Sequence, residues 1–192
     1  MKKNIYSPPN FMILKRFPKY LFPTRYTGGK TKVLSALHEL LPVHFDEWRD
    51  CFMGGGSLTL SMMWQNKSAS YWVNEGNPFL YNFWKHLHED ALKMQKWIWQ
   101  RKSEFGGGGH EQLFGWCREN IQRADAFEQG CMWFILNRTS FNGMGEAISR
   151  GHSLEDEKIT DLKYCGALLR SVNGPSRITT TRFCSAVPPR SR

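Results

Sequence analysis

A glycine triplet and a single acid, about 20 residues apart, form the strongest chemical pattern in the chain. Gly54-Gly55-Gly56 stands after a strand candidate and before a helix, and Glu75 stands at the end of the next strand candidate. Glycines at a strand end let a ligand approach the backbone, because no Cβ intervenes. A carboxylate at the second strand end can accept hydrogen bonds from both vicinal hydroxyls of a ribose. Each part also has a plain reading: three glycines make a turn, and an exposed Glu after a strand is common.

Tyr26-Thr27-Gly28-Gly29-Lys30-Thr31 is a second pattern, ending in the Gly-Lys-Thr of a phosphate-binding loop. A P-loop needs an earlier Gly where this chain has Thr24, and no apolar run ending in Asp follows to hold magnesium. A P-loop NTPase stands as an alternative on this segment. The third pattern, Asn74-Glu75-Gly76-Asn77-Pro78, lies at a strand-to-helix junction, where helix capping alone would explain it. The order of all three is harder to explain by capping and turns.

The elements that must position these residues are legible from periodicity and punctuation. Residues 1–23, with Pro8, Pro9, Pro18 and Pro23, read as irregular. Val33, Leu34, Leu37, Leu40 and Leu41 recur at helical spacing over 30–41, and Pro42 stops that helix. His44 to Phe52 is a strand candidate crowded by charge. Ser57 is placed to cap a helix running to Trp64. Residues 69–74 read as a second strand, and Pro78 opens a helix through Leu87. Helix continues over 88–105, Gly106 to Gly109 is a flexible loop, and 111–136 is helical again. Loop over 137–161, a helix at 162–172 and a strand from Ile178 to Thr181 complete the reading. The front of the chain thus forms one α/β winding unit.

Composition bounds the function class. The 192 residues are 41% apolar and 14% aromatic, enough for a sizeable core in one domain, or one domain with a small insertion. No apolar run approaches the roughly 20 residues of a membrane-spanning helix. After Met1-Lys2-Lys3 the apolar stretch is only Phe11-Met12-Ile13-Leu14, short of the about 7–15 residues of a secretory signal, so secretion is not expected. Cys51, Cys117, Cys131, Cys165 and Cys184 are scattered without a CxxC pair, which supports neither a zinc site nor a disulfide framework and fits a reducing cytoplasm. Twenty-six basic against 17 acidic residues give a net charge of +9. The excess sits at both ends, so a polyanion such as nucleic acid is the natural partner, a solvated basic surface being the alternative.

Taken together, these segments resemble the DNA adenine-N6 methyltransferases of the Dam type. Those enzymes open with an aromatic-x-Gly-Gly-Lys motif, here Tyr26 to Lys30. A strand and glycine loop follow, here Asp50-Cys51-Phe52-Met53-Gly54-Gly55-Gly56-Ser57, with Cys51 in place of Pro. Asn-Asp-x-Asn and a Leu-x-Asn-Phe helix match Asn74-Glu75-Gly76-Asn77 and Leu80-Tyr81-Asn82-Phe83, and Asn-Arg-x-x-Phe-Asn-Gly matches Asn137 to Gly143. The resemblance covers about residues 20–185.

It implies an α/β fold: a Rossmann-like sheet of the S-adenosylmethionine-dependent methyltransferases, here incomplete, with a helical target-recognition insertion. The implied organisation is an N-terminal extension (1–24), a cofactor-binding part (25–87), a helical target-recognition region (88–160) and a return to the α/β part (161–192). It also implies an S-adenosylmethionine pocket, double-stranded DNA as partner, no membrane, and the cytoplasm of a bacterial or phage-infected cell. Tyr26 would pack an aromatic face near the cationic sulfonium, and Lys30 would reach polar groups of the cofactor. Asp50 and Gly54, Gly55 and Gly56 would shape the pocket floor, and Glu75, one methylene longer than the usual Asp, would hold the ribose. Basic and aromatic residues of 88–150 would contact phosphate and wedge or stack, although core packing is the commoner role for their tryptophans.

One family motif is missing. Asp-Pro-Pro-Tyr binds the adenine amine at a later strand end, after a region resembling Ile178-Thr179-Thr180-Thr181-Arg182-Phe183. Pro188-Pro189 has neither the acid before it nor the aromatic after it. The expectation is therefore a chain stopping short of its catalytic strand, with no catalytic residue to assign. The glycine-loop strand would then lack a neighbour. A non-catalytic S-adenosylmethionine- or DNA-binding module, or half of a split enzyme, is the alternative.

Overall fold

Phe45–Asp50 (β1), Ser68–Asn74 (β2) and Arg177–Thr179 (β3) form a parallel sheet in the order β1-β2-β3. The computed structural model describes residues 17–42, 45–65, 68–106, 110–149, 153–171 and 177–179. In register, Asp50 lies beside Val73 and Asn74 beside Thr179, so the ends of all three strands are level. Parallel strands are usually apolar because both faces are covered. β1 is charged and still a strand, because it stands at the sheet's edge, with no second strand partner among the described residues. Asp46, Glu47 and Arg49 stay in solvent, Arg49 ion-paired with Glu47, while the Trp48 indole donates to Thr59 Oγ1 at 2.9 Å.

Between β1 and β2 runs α2 (Ser57–Trp64). Its cap is Gly56, at a left-handed φ of 69°, and Ser57 makes no capping bond. Ser57 instead accepts from the backbone N–H of Lys30 at 2.9 Å, which takes it away from the role expected of it. The helix expected over 30–41 is a 3-10 turn at Thr31–Val33 followed by α1 (Leu34–Leu40). Leu34 and His38 face inward, whereas Val33 and Leu40 are 46% and 82% exposed, contrary to their apolar spacing.

Asn77 caps α3 (Pro78–Glu104), accepting from the N–H groups of Phe79 and Leu80 at 3.0 and 3.2 Å. The helix breaks at Asp90 (φ −153°, ψ 81°), whose carboxylate accepts from Lys93 N–H at 2.9 Å and so caps the second half. The single helix expected over 111–136 is two, α4 (His110–Asn120) and α5 (Ala126–Thr139). Asp125 starts the second by accepting from Glu128 N–H at 2.8 Å, a capping signal that outweighs the continuous apolar pattern. α6 (Asp156–Ser171) takes up part of the expected loop 137–161, its first turn acidic as a helix N-terminus favours. Residues 1–16 of the expected irregular segment, 107–109 of the glycine loop, residue 172, and 180–181 of the last strand lie outside the described residues.

α3 packs against both α5 and α6, and two glycines allow the close crossings. A Cβ on Gly130 would stand 2.8 Å from the Asn82 carbonyl, and one on Gly166 would stand 2.4 Å from Ala91 Cβ. One apolar cluster runs from Leu21 through Trp84 and Phe134 to Leu169, binding sheet and helices together. No helix among the described residues is long and apolar enough to cross a membrane.

Candidate cofactor and DNA site

The turn after β1 is held from three sides. Asn74 at the end of β2 donates through its side-chain amide to Cys51 O at 3.2 Å and accepts through its backbone carbonyl from Met53 N–H at 3.0 Å. The buried Trp84 indole of α3 donates to Gly54 O at 2.9 Å. Glu75, buried at 7% exposure, accepts from Gly54 N–H at 2.8 Å with one oxygen and from Asn77 N–H at 2.9 Å with the other. A carboxylate has about four acceptor sites, so both oxygens keep capacity for a further donor.

Glycine is required here by proximity. A Cβ on Gly54 would stand 2.8 Å from the Tyr26 ring, one on Gly55 2.6 Å from Tyr26 Cβ, and one on Gly56 3.1 Å from the Trp84 ring. Tyr26 therefore lies directly on the glycine loop while the residue as a whole stays 44% exposed. Burial and the nearby Glu75 charge both push its phenol above the ordinary value, so it stays neutral across the physiological range. Thr24 extends the contact by donating to Gly55 O at 3.3 Å.

The structure thus brings Tyr26, Gly54, Gly55, Gly56 and Glu75 to one place. Lys30 is joined to it through the backbone bond to Ser57, while its exposed ammonium donates to Gly28 O at 2.8 Å. Asp50 supports the loop from behind, accepting from Thr59 Oγ1 at 2.6 Å and from Phe52 N–H at 3.1 Å. Trp84 and Thr24 were not assigned to the site by sequence, and Asn74 was read only as part of a strand-to-helix junction. Their roles are backbone bonds to the glycine loop, which no residue-type pattern announces.

A second feature lies beside these residues. After α5 the chain turns through Phe141–Gly143 and returns in a short hairpin, with Ser140 bridged to Ile148. Phe141 and Met144 are 61% and 57% exposed on it. Arg25 and Arg138 sit beside its base. The Arg25 guanidinium donates to Ser140 O at 3.1 Å, and Arg138 is lowered by burial first and by Arg25 second. The tryptophans of the helical region do pack on the core, and Arg101 lies 5.2 Å from the rings of both Trp97 and Trp116.

A parallel sheet with a glycine loop at one strand end and a carboxylate at the next is an arrangement that nucleotide-binding folds use. The model of the D12 class N6 adenine-specific DNA methyltransferases matches residues 26–153, which hold the glycine loop, Glu75 and the hairpin, and the chain belongs to that family. Members transfer a methyl group to adenine N6 in DNA and generally use S-adenosylmethionine. No curated protein matches the chain.

Proposed function

We propose that the cleft formed by Tyr26, the glycine loop and Glu75 binds S-adenosylmethionine. The observation that carries this reading is Tyr26 lying on Gly54 and Gly55 while Glu75 is bonded to Gly54 N–H. The residues suit the cofactor. The missing Cβ atoms let Tyr26 close onto the loop backbone, Glu75 keeps acceptor capacity for vicinal hydroxyls, and a partly exposed tyrosine suits a sulfonium. When bound, S-adenosylmethionine supplies an electrophilic methyl group. Lys30 and Asp50 then act on the rim and behind the loop.

In the same reading, residues 1–24 are an N-terminal extension, 25–87 bind cofactor, 88–160 recognise the target and 161–192 return to the α/β part. Double-stranded DNA lies along the hairpin, with Arg25 and Arg138 toward phosphate and Phe141 placed to wedge beside a flipped base. Affinity for a duplex then falls steeply between roughly 50 and 200 mM salt, and a flat response removes DNA as the partner.

The 192 residues hold no Asp-Pro-Pro-Tyr segment. The chain alone therefore binds without transferring, and detectable transfer of labelled methyl to adenine by the pure chain refutes this. A binding module or half of a split enzyme is the second reading, favoured by β1 lacking a second strand partner among the described residues. A P-loop is disfavoured: the phosphate loop follows a strand, whereas described residues 17–29 contain none. Thermal shift discriminates, with stabilisation by S-adenosylmethionine supporting the pocket and stabilisation by ATP with magnesium overturning it.

A further inference from the structure

The loop that carries Tyr26 and the hairpin that carries Phe141 meet at one buried side chain. Asn137, 1% exposed near the end of α5, accepts from Arg25 N–H at 2.8 Å and donates through its amide to Arg25 O at 2.6 Å and to Gly143 O at 2.8 Å. It therefore pairs with both backbone groups of Arg25 as a neighbouring strand would, and holds the hairpin turn with its remaining donor. Gly143, at φ 74°, admits this approach, since a Cβ there would stand 2.1 Å from Arg25 O. Thr27 Oγ1 adds a bond to Asn142 O at 3.3 Å. On its other side the same loop is fixed to the glycine loop by Thr24, by Tyr26 and by the Lys30–Ser57 bond.

We propose that Asn137 is a positioning residue that couples the cofactor cleft to the DNA-facing hairpin. A ligand filling the cleft against Tyr26 fixes the backbone of Arg25 to Thr27. Asn137 passes that restraint to Gly143 and so to residues 140–148. The coupling is reciprocal: a duplex that holds the hairpin tightens the cofactor by the same factor. The inference rests on the cofactor reading above, and its test separates the two.

Amide exchange of the full chain is measured with and without S-adenosylmethionine, beside calorimetric affinity for the cofactor with and without a DNA duplex. The reporters are the Phe141 N–H, bonded to Ala147 O at 2.9 Å, and the Gly145 N–H, bonded to Ser140 Oγ at 2.8 Å. In the wild type both slow at least about fivefold on cofactor binding, and the duplex tightens the cofactor by a similar factor. In Asn137→Asp, which keeps the acceptor and loses both donors, cofactor still binds but both effects fall by at least about half, the Arg25–Ser140 and Thr27–Asn142 bonds carrying the remainder. Thr27→Val, which removes one exposed bond, lowers them in part, and it decides the matter if Asn137→Asp does not fold. Cofactor binding with unchanged hairpin exchange in the wild type, or full protection surviving in the variants, overturns the coupling and leaves the cofactor reading standing. No cofactor binding by the wild type overturns both.

Discussion

Replacing Glu75 with Gln changes one oxygen into an amide nitrogen and removes the charge, while the side chain keeps its shape. In the wild type each carboxylate oxygen accepts one backbone N–H, from Gly54 at 2.8 Å and Asn77 at 2.9 Å. Hydrogen bonds to charged groups contribute about 1.5–3 kcal/mol each, against about 0.5–1.5 kcal/mol for neutral ones. In the variant one N–H keeps a neutral acceptor and the other faces a donor inside a site only 7% exposed. The expected loss of stability is about 2–4 kcal/mol, read as a lower urea midpoint at an unchanged slope. The ribose hydroxyls lose a charged acceptor as well. That weakens S-adenosylmethionine binding by about 1.5–3 kcal/mol, or roughly 10- to 150-fold by calorimetry. A folded Glu75→Gln variant with wild-type cofactor affinity refutes the assignment of Glu75 to the ribose. Wild-type stability refutes its part in holding the glycine loop.

Trp84→Phe removes the indole donor from Gly54 O and leaves a void beside Gly56, so stability falls by about 2–4 kcal/mol and cofactor affinity falls with it. Equal urea midpoints for the two proteins would contradict this. Gly166→Ala drives a Cβ into Ala91 Cβ and the Leu87 carbonyl where α3 crosses α6. It costs about 1–3 kcal/mol with cofactor contacts untouched, which a lower melting temperature with retained cofactor binding would show. Burial holds both His86 and His88 below their ordinary value of 6.5, Glu89 opposing for both, Lys85 assisting for His86 and Arg170 for His88. The unfolded chain therefore takes up these protons at higher pH than the folded chain. Their contribution to stability is complete above about pH 6.5 and shrinks as pH falls toward the lowered folded values. Urea midpoints should drop from pH 7.5 to 5.5, with a shallower drop in a His86→Gln, His88→Gln variant.

The grouping of Tyr26, Gly54–Gly56 and Glu75 was legible because it depends on residue types that sequence displays. Gly54 to Gly56 and Glu75 announce themselves by spacing, and Asn77 before Pro78 marks a helix start. What sequence hides is competition for a partner. Ser57 has a good capping residue's chemistry, yet Lys30 N–H takes its oxygen and Gly56 supplies the turn. Asp125 interrupts an apolar pattern that otherwise reads as one helix, because a cap acts locally while periodicity is averaged over a window. β1 defies its own charge because edge position, a property of the whole sheet, decides what its side chains face. Asn137 is the clearest case. Sequence places it in a loop, at the head of the segment Asn137 to Gly143, and its meaning lies in Arg25, 112 residues away.

The most direct test of the cofactor site is a crystal structure of the chain soaked with S-adenosylmethionine. The expected result is the ligand beside Gly54–Gly56, its ribose hydroxyls on Glu75 and its sulfonium against the Tyr26 ring. A ligand bound elsewhere, or in the cleft with neither Tyr26 nor Glu75 touching it, contradicts the account.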